Sequence, residues 1–500
     1  MERGIGRVVA ISFAVAALAA GIWAGWTATA PGPAANAAVE RISRIEAGLS
    51  GPVAIKGQPL PSHSLADRME HYKVPGVSVA FFENGRVTWA REYGYADAEK
   101  KSPVTTDTLF QAASISKPVA SLAALHLVEE GKLSLDEDVN VKLKSWKVPD
   151  NDFTKEQKVT LRRLLSHSAG LTVHGFPGYA AGETVPSVVQ VLDGQKPANT
   201  APVRVETEPG QKWSYSGGGF TIAQLLMTDV TGEPFPTLLS ELVLKPAGMT
   251  HSTYEQPLPQ DRVAFATMPY RGSGEPVKGG PHTYPEMAAA GLWTTPSDLG
   301  YMAMEVEREF HGASHRILSQ SMARQYLTRQ KGDSGLGVFV EGEGAALHFS
   351  HSGGNEGYRC YFVDFPERHQ GVAIMTNSDN GGSLMNELLR SVAKEYAWPG
   401  YEVIEKELAQ VEPRVLAAYV GEYQEPTVGK ITVTQKDGRL YLQSPPLGSE
   451  PQELLPESPA DFFILVEKAT FKFVAPKAGK PADSLVIAFG PQTFTAKRAK

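Results

Sequence analysis

The chain has 500 residues, 42% of them hydrophobic, with a formal net charge of −7 and a single cysteine. Such a chain buries a large core, and its length suggests two to three domains. The acidic balance, with no long basic run, excludes nucleic acid as the expected partner and leaves small molecules or peptides. The lone Cys360 excludes an intrachain disulfide framework and a cysteine-based zinc site.

The first stretch, "MERGIGRVVAISFAVAALAAGIWAGWTATA", sets Arg3 and Arg7 before an uncharged run from Val8 to Trp26. This reads as an export signal, and residues 1–38 are assigned to it or to an N-terminal anchor. The apolar run exceeds the usual signal core of about 7 to 15 residues and just reaches the roughly 18 that span a bilayer. The small-x-small sites Ala28-Thr29-Ala30 and Ala35-Asn36-Ala37 favour cleavage, whereas Trp23 and Trp26 suit membrane anchoring through residues 8–26. Either outcome places the folded part outside the cytoplasm, periplasmic or secreted.

After a mobile Pro- and Gly-containing segment to about residue 60, two apolar alternating runs flank Asn84-Gly85, a strong hairpin signal. Then comes "QAASISKPVA", with Ser114 three residues ahead of Lys117 at the start of a helical run. That spacing alone fits both a nucleophile with its base and a solvated polar pair. A serine hydroxyl needs a base, and i,i+3 side chains on a helix lie about 5 to 6 Å apart. An ordinary lysine titrates near 10.4, so a lysine base at neutral pH requires desolvation or a neighbouring cation.

From about 108 to 330 the pattern is mostly helical. Within it "EPGQKWSYSGGGF" sets Tyr215 at the end of a tight loop, before three glycines and the helix-like "FTIAQLLMTDVTG". "HGASH" reads as a loop and "GDSG" at 332–335 as a turn. Strands return between 335 and 378, and "LHFSHSGGNEGYR" runs a strand into His351-Ser352-Gly353-Gly354, whose glycines expose backbone N–H groups. His348 and His351 face opposite sides of that strand. Cys360, in "YRCYFVDF", is a buried inert thiol.

Strands, helices, then strands imply one antiparallel sheet built from both ends of residues 60–400, with a helical region inserted between, an α/β fold of the α+β type. The cleft between the two is the expected site. Beyond 400 the period-two pattern around Asp437-Gly438 and the later strand-like runs mark a small all-β, barrel-like domain at 412–500.

With these three elements in order, the chain resembles the serine β-lactamase and penicillin-binding superfamily, defined by S-x-x-K, S-D-N and K-T-G. It is most similar to the class C branch, with its related esterases, D-aminopeptidases and DD-peptidases, whose second motif is Tyr-x-Asn. "LRRLLSHSAGL", "KPAGMTHSTY" and "AAGLWTTPSDLGYM" resemble that family's framework, over about residues 62 to 397. The C-terminal domain resembles the lipocalin-like barrels often fused to such enzymes.

The resemblance implies that Ser114 is the acylated nucleophile, that Lys117 helps to activate it, and that Tyr215 is base or proton relay. It implies an oxyanion hole from the N–H groups of Ser114 and Gly354, with His351 and Ser352 at the family's Lys and Thr positions. There they would polarise Tyr215 or hold a substrate carboxylate. A tyrosine base needs adjacent positive charge, which Lys117, and His351 when protonated, would supply. His167, outside the three motifs, is expected to be a hydrogen-bonded framework residue. Two departures stand out: Gly217 replaces the Tyr-x-Asn asparagine, and His351 replaces a permanently cationic lysine. Both point away from an efficient β-lactamase and towards a cofactor-free esterase or D-amino acid amidase. The alternatives are a β-lactamase, a D-Ala-D-Ala carboxypeptidase, or a sensor that acylates without turnover.

Overall fold

The computed structural model describes residues 33–447, 450–475, 480–490 and 492–499. The export segment assigned to Val8–Trp26 therefore lies outside the described residues. Among the described residues, no helix is long and apolar enough to cross a membrane.

Seven strands form the central sheet: β1 Gly76–Glu83, β2 Arg86–Asp97, β3 Ser102–Pro103, β4 Phe339–Glu341, β5 His348–Asn355, β6 Tyr358–Phe365 and β7 Gln370–Thr376. Their order is β3-β2-β1-β7-β6-β5-β4, antiparallel throughout. The N-terminal hairpin thus joins the C-terminal strands along β1 and β7, with Ala80 opposite Ala373. Asn84 (φ 50°) and Gly85 (φ 76°) both take left-handed conformations, as a two-residue type I′ turn requires.

Both faces of β1 are covered, so its residues Gly76 to Phe82 are buried without alternation. Phe81 stacks on Tyr396 at 3.9 Å on one face. Phe82, pointing the other way, meets the helix Pro296–Phe310 at Gly300, where a Cβ would come within 2.7 Å of its ring. The inserted region supplies two further helices to the core, α1 Ser116–Glu129 and α2 Gly217–Thr231. Each is buried over most of its circumference, as helices apolar all round must be. The expected helix start at Phe220 moves back to Gly217, because Ser216 caps it by accepting the Gly219 N–H at 3.0 Å.

The segment before residue 60, expected to be mobile, carries order. Pro33–Ala47 is helical, and Val53–Ile55 pairs in parallel with Ile404–Lys406. The helix-forming Ala, Glu and Arg of the first were masked by flanking Pro and Gly, and a three-residue strand gives no periodic signal.

The C-terminal part is a closed antiparallel barrel of eight strands, from Gly421–Glu425 to Gln492–Arg498. It closes where Tyr423 pairs with Arg498. Alternate residues such as Ile431, Val433, Phe471 and Phe473 fill its interior, as expected for a barrel this small. Asp437 and Gly438 form another left-handed hairpin turn there (φ 51° and 74°).

Candidate active site

The nucleophile candidate sits on a strained turn. Phe110–Gln111 pairs with Trp293–Thr294, and the chain then turns through the 3-10 segment Ala113–Ile115 into α1. Ala113 has φ 49°, a left-handed conformation that costs a non-glycine residue about 1–3 kcal/mol and persists only where its surroundings impose it. Here Ser116 does so: its Oγ donates to the Ala113 carbonyl at 2.6 Å and accepts the Leu292 N–H at 2.9 Å. Ser114 is thereby left partly exposed on an otherwise buried turn.

Lys117 follows in the first turn of α1 and is 2% exposed. Its Nζ donates to Ser114 Oγ at 3.0 Å and to the Ala289 carbonyl at 2.8 Å. It also lies 5.0 Å from the Tyr215 ring centroid and 5.7 Å from that of Phe220. Among the described residues no carboxylate pairs with it. Of the two readings left by the Ser-x-x-Lys spacing, the solvated polar pair is excluded.

Tyr215 is held by its neighbours. Ser214 N–H donates to the His167 carbonyl at 2.8 Å, and Ser216 N–H to His167 Nδ1 at 3.1 Å. The two rings lie 4.3 Å apart. His167 is indeed a hydrogen-bonded residue of the scaffold, but it belongs to the site wall, which its place outside the motifs did not reveal. Burial first, then the Lys117 charge and His351, lowers its titration well below the usual imidazole range. The ring is neutral, and because Nδ1 accepts, its proton is on Nε2.

β5 brings the third element. Ser352 and Gly354 are exposed, while His351 and Gly353 are buried, Gly353 against the nucleophile turn. A Cβ on Gly353 would lie 2.2 Å from the Ala112 carbonyl oxygen and 2.6 Å from Cys360 Sγ, so only glycine lets the strand approach so closely. Asn355 and Tyr358 flank a two-residue turn and form a hydrogen-bonded pair; Gly354 opposite Arg359 is therefore a non-bonded pair whose N–H points away from β6. On that side β4 pairs only as far as Ser350, which leaves the Gly354 N–H free of ladder partners.

His351 is, as expected of an imidazole in place of a lysine, no fixed cation. Burial, reinforced by the Lys117 charge, holds its imidazole down at about 3, so it is neutral and supplies no positive charge to Tyr215. Nδ1 sits 2.6 Å from the Ser352 carbonyl and must carry the proton, leaving Nε2 as a buried acceptor without a hydrogen-bond partner. Its ring lies 6.4 Å from that of Tyr215.

The sequence reading also missed Asn355, whose Nδ2 donates to Gln111 Oε1 at 2.8 Å and to the Ala290 carbonyl at 3.1 Å. It ties the end of β5 both to the strand before Ser114 and to the segment whose Ala289 carbonyl holds Lys117. Only its place directly after Gly353-Gly354 could have signalled this. Cys360 is buried, with its thiol pushed up by burial and its Sγ 3.0 Å from the Ala112 carbonyl. It packs under the site without facing it.

The model of the beta-lactamase family matches residues 63–397. The chain belongs to that family. A second model, described only as a domain of unknown function, matches residues 405–495. Protein flp of Staphylococcus aureus is 24% identical over 61% of this chain and 60% of its own length, so the chain spans less than two thirds of that relative. Among solved structures, the octameric penicillin-binding protein homologue from Pyrococcus abyssi superposes with a TM-score of 0.56 at 22% identity, covering 86% of this chain and 98% of that one. The D-amino acid amidase from Ochrobactrum anthropi SV3 gives a TM-score of 0.55 at 22% identity, covering 71% and 99%. These two likenesses establish the fold.

Proposed function

We propose that the protein is a serine hydrolase that cleaves a small ester or amide through an acyl-enzyme on Ser114, exported from the cytoplasm by its N-terminal segment. The observation that carries this reading is the buried, carboxylate-free Lys117 with its Nζ 3.0 Å from Ser114 Oγ. A lysine desolvated without a carboxylate costs stability, which supports a role for it in chemistry.

In the acylation step Ser114 Oγ attacks the substrate carbonyl carbon as its proton passes to the Lys117–Tyr215 pair. The new oxyanion is stabilised by the N–H groups of Ser114 and Gly354. The same proton goes to the departing alkoxide or amine as the scissile bond breaks. Water then repeats the sequence on the acyl-enzyme and frees Ser114. Neutral His351 assists through its Nε2 lone pair, as an acceptor for a hydroxyl or ammonium proton and not as a counter-charge.

A substrate carboxylate at β5 would meet this neutral imidazole in place of a fixed cation. That supports simple esters and D-amino acid amides over β-lactams and peptides ending in D-Ala-D-Ala. A turnover screen with p-nitrophenyl esters, D-amino acid amides, D-Ala-D-Ala peptides and a chromogenic cephalosporin tests this. Many equivalents of product from an ester or amide are expected. Rapid turnover of the cephalosporin alone would reverse the ranking, and release stopping near one equivalent would identify a sensor.

A further inference from the structure

The loop from Val173 to Tyr179 bridges the cleft. At one end the Val173 carbonyl accepts the Gly218 N–H at 3.0 Å, and the His174 imidazole bonds the Tyr215 carbonyl. At the other, Pro177 O is bonded by His282 Nδ1 at 2.9 Å and by Tyr284 Oη at 3.4 Å. Those two residues reach the opposite wall: the His282 carbonyl holds Gln111, three residues before Ser114, and Tyr284 Oη accepts the Glu356 N–H just beyond β5. Between these two sets of ties stands Phe176, half-exposed, with its ring edge against Gly217. A Cβ built on Gly217 would lie 2.9 Å from Phe176 Cε2 and 3.3 Å from the His174 carbonyl oxygen. Position 217 begins the helix that follows Tyr215, and a side chain there would project towards Phe176 and the His174 carbonyl, whose own imidazole bonds the Tyr215 carbonyl. In this protein that volume is occupied by a phenyl ring.

We infer that Phe176 is the specificity-determining wall of the acyl subsite, so that the enzyme takes esters or amides whose acyl group is aliphatic or arylalkyl and discriminates against those with an acylamino group next to the scissile carbonyl. This rests on acylation of Ser114. A ring packs well against methylene or aryl groups, whereas an amide pressed on it loses its water without gaining a hydrogen bond. Discrimination of that origin is large, because an unpaired polar group is penalised more heavily than a missing methylene. Gly217 and Phe176 form one unit: the glycine makes room for the ring, and the ring removes the polar contact that a side chain at 217 could offer.

The test compares kcat/KM for p-nitrophenyl butanoate and phenylacetate with that for the p-nitrophenyl ester of N-acetyl-D-alanine, with fluorophosphonate labelling of Ser114 followed in every variant. The native enzyme should favour the first two by about tenfold or more. Phe176→Ala should cut that ratio about tenfold while Ser114 stays labelled, and Phe176→Leu, which keeps an apolar wall, should preserve it. Gly217→Ala should depress turnover of all three esters by displacing the ring, and adding Phe176→Ala should restore it. An unchanged ratio in a labelled Phe176→Ala enzyme overturns the inference while leaving the hydrolase reading intact. A native protein that is neither labelled at Ser114 nor active on any ester overturns both.

Discussion

Lys117 holds its Nζ 3.0 Å from Ser114 Oγ while its side chain is sealed from solvent and faces the Tyr215 ring at 5.0 Å. Under the proposed reading this interaction serves the reaction more than the fold. Replacing a buried ionic group with an apolar one of similar volume is often neutral or stabilising. Lys117→Met is therefore expected to leave the urea midpoint unchanged or higher, while the rate of Ser114 labelling by a fluorophosphonate falls about 10²- to 10⁴-fold. A large loss of stability with labelling preserved would make Lys117 a structural residue.

Tyr215→Phe removes one hydroxyl and is expected to cost about 0.5 to 1.5 kcal/mol of stability at most. As base or relay, its loss should lower kcat about 10²- to 10⁴-fold. The double variant with Lys117→Met should be little worse than either single one, as for residues acting together. Full additivity of the two losses in stopped-flow acylation would separate the residues into independent roles.

His351 gives the protein a pH dependence with a definite sign. In the unfolded chain an imidazole binds its proton near 6.5; in the fold His351 does so only near 3. Between those values the unfolded state holds more protons, so this group's contribution to stability is complete above about pH 6.5 and is lost as pH falls towards 3. The slope is about 1.4 kcal/mol per pH unit for one such group. Buried His167 adds a loss of the same sign. Urea unfolding at pH 7, 6, 5 and 4 should show a shallower acid loss in His351→Gln than in the native protein, and equal slopes would mean that the imidazole is protonated in the fold.

The adjacent glycines should respond differently to the same substitution. A Cβ at Gly353 would collide with the Ala112 carbonyl at 2.2 Å, forcing β5 away from the nucleophile turn. At Gly354 the nearest atom would be Arg359 Cδ at 3.5 Å, an ordinary contact. Gly353→Ala is expected to cost at least about 1–3 kcal/mol and most of the Ser114 labelling, and Gly354→Ala much less stability. Thermal melts of the two variants check this, and equal losses would show that β5 does not press on Ala112 in solution.

Among the described residues, the barrel contributes none to the candidate site. Truncation after residue 410 keeps the pairing of Val53–Ile55 with Ile404–Lys406 and should leave Ser114 reactive. A truncated protein that stays folded by circular dichroism but is no longer labelled would show that the barrel completes the cleft.

What the sequence disclosed followed its strongest local signals. Asn84-Gly85 and Asp437-Gly438 marked their turns because few other residue pairs take two left-handed conformations in succession. The order of strands and helices gave the split sheet. Ser114, Lys117, Tyr215 and His351, which the structure brings together, could be singled out because each lies in a short motif of fixed spacing. That His351 would be mostly neutral followed from its being an imidazole, but how far its titration is lowered did not, since that depends on burial and on Lys117, 234 positions away in the chain. The place of His167 in the site wall and the ties made by Asn355 escaped for the same reason: each rests on a contact between distant segments. The helix at Pro33–Ala47 was hidden by its own Pro and Gly neighbours.

The central claim is that Ser114 carries the acyl group during turnover. The most direct measurement is mass spectrometry of the intact, acid-quenched protein after mixing with p-nitrophenyl butanoate, followed by peptide mapping. The account predicts one added butanoyl group on the peptide containing Ser114, formed in a burst of about one equivalent of nitrophenol and followed by steady release, with none in Ser114→Ala. Turnover retained in Ser114→Ala, or an acyl group mapped to another residue during the burst, would contradict it.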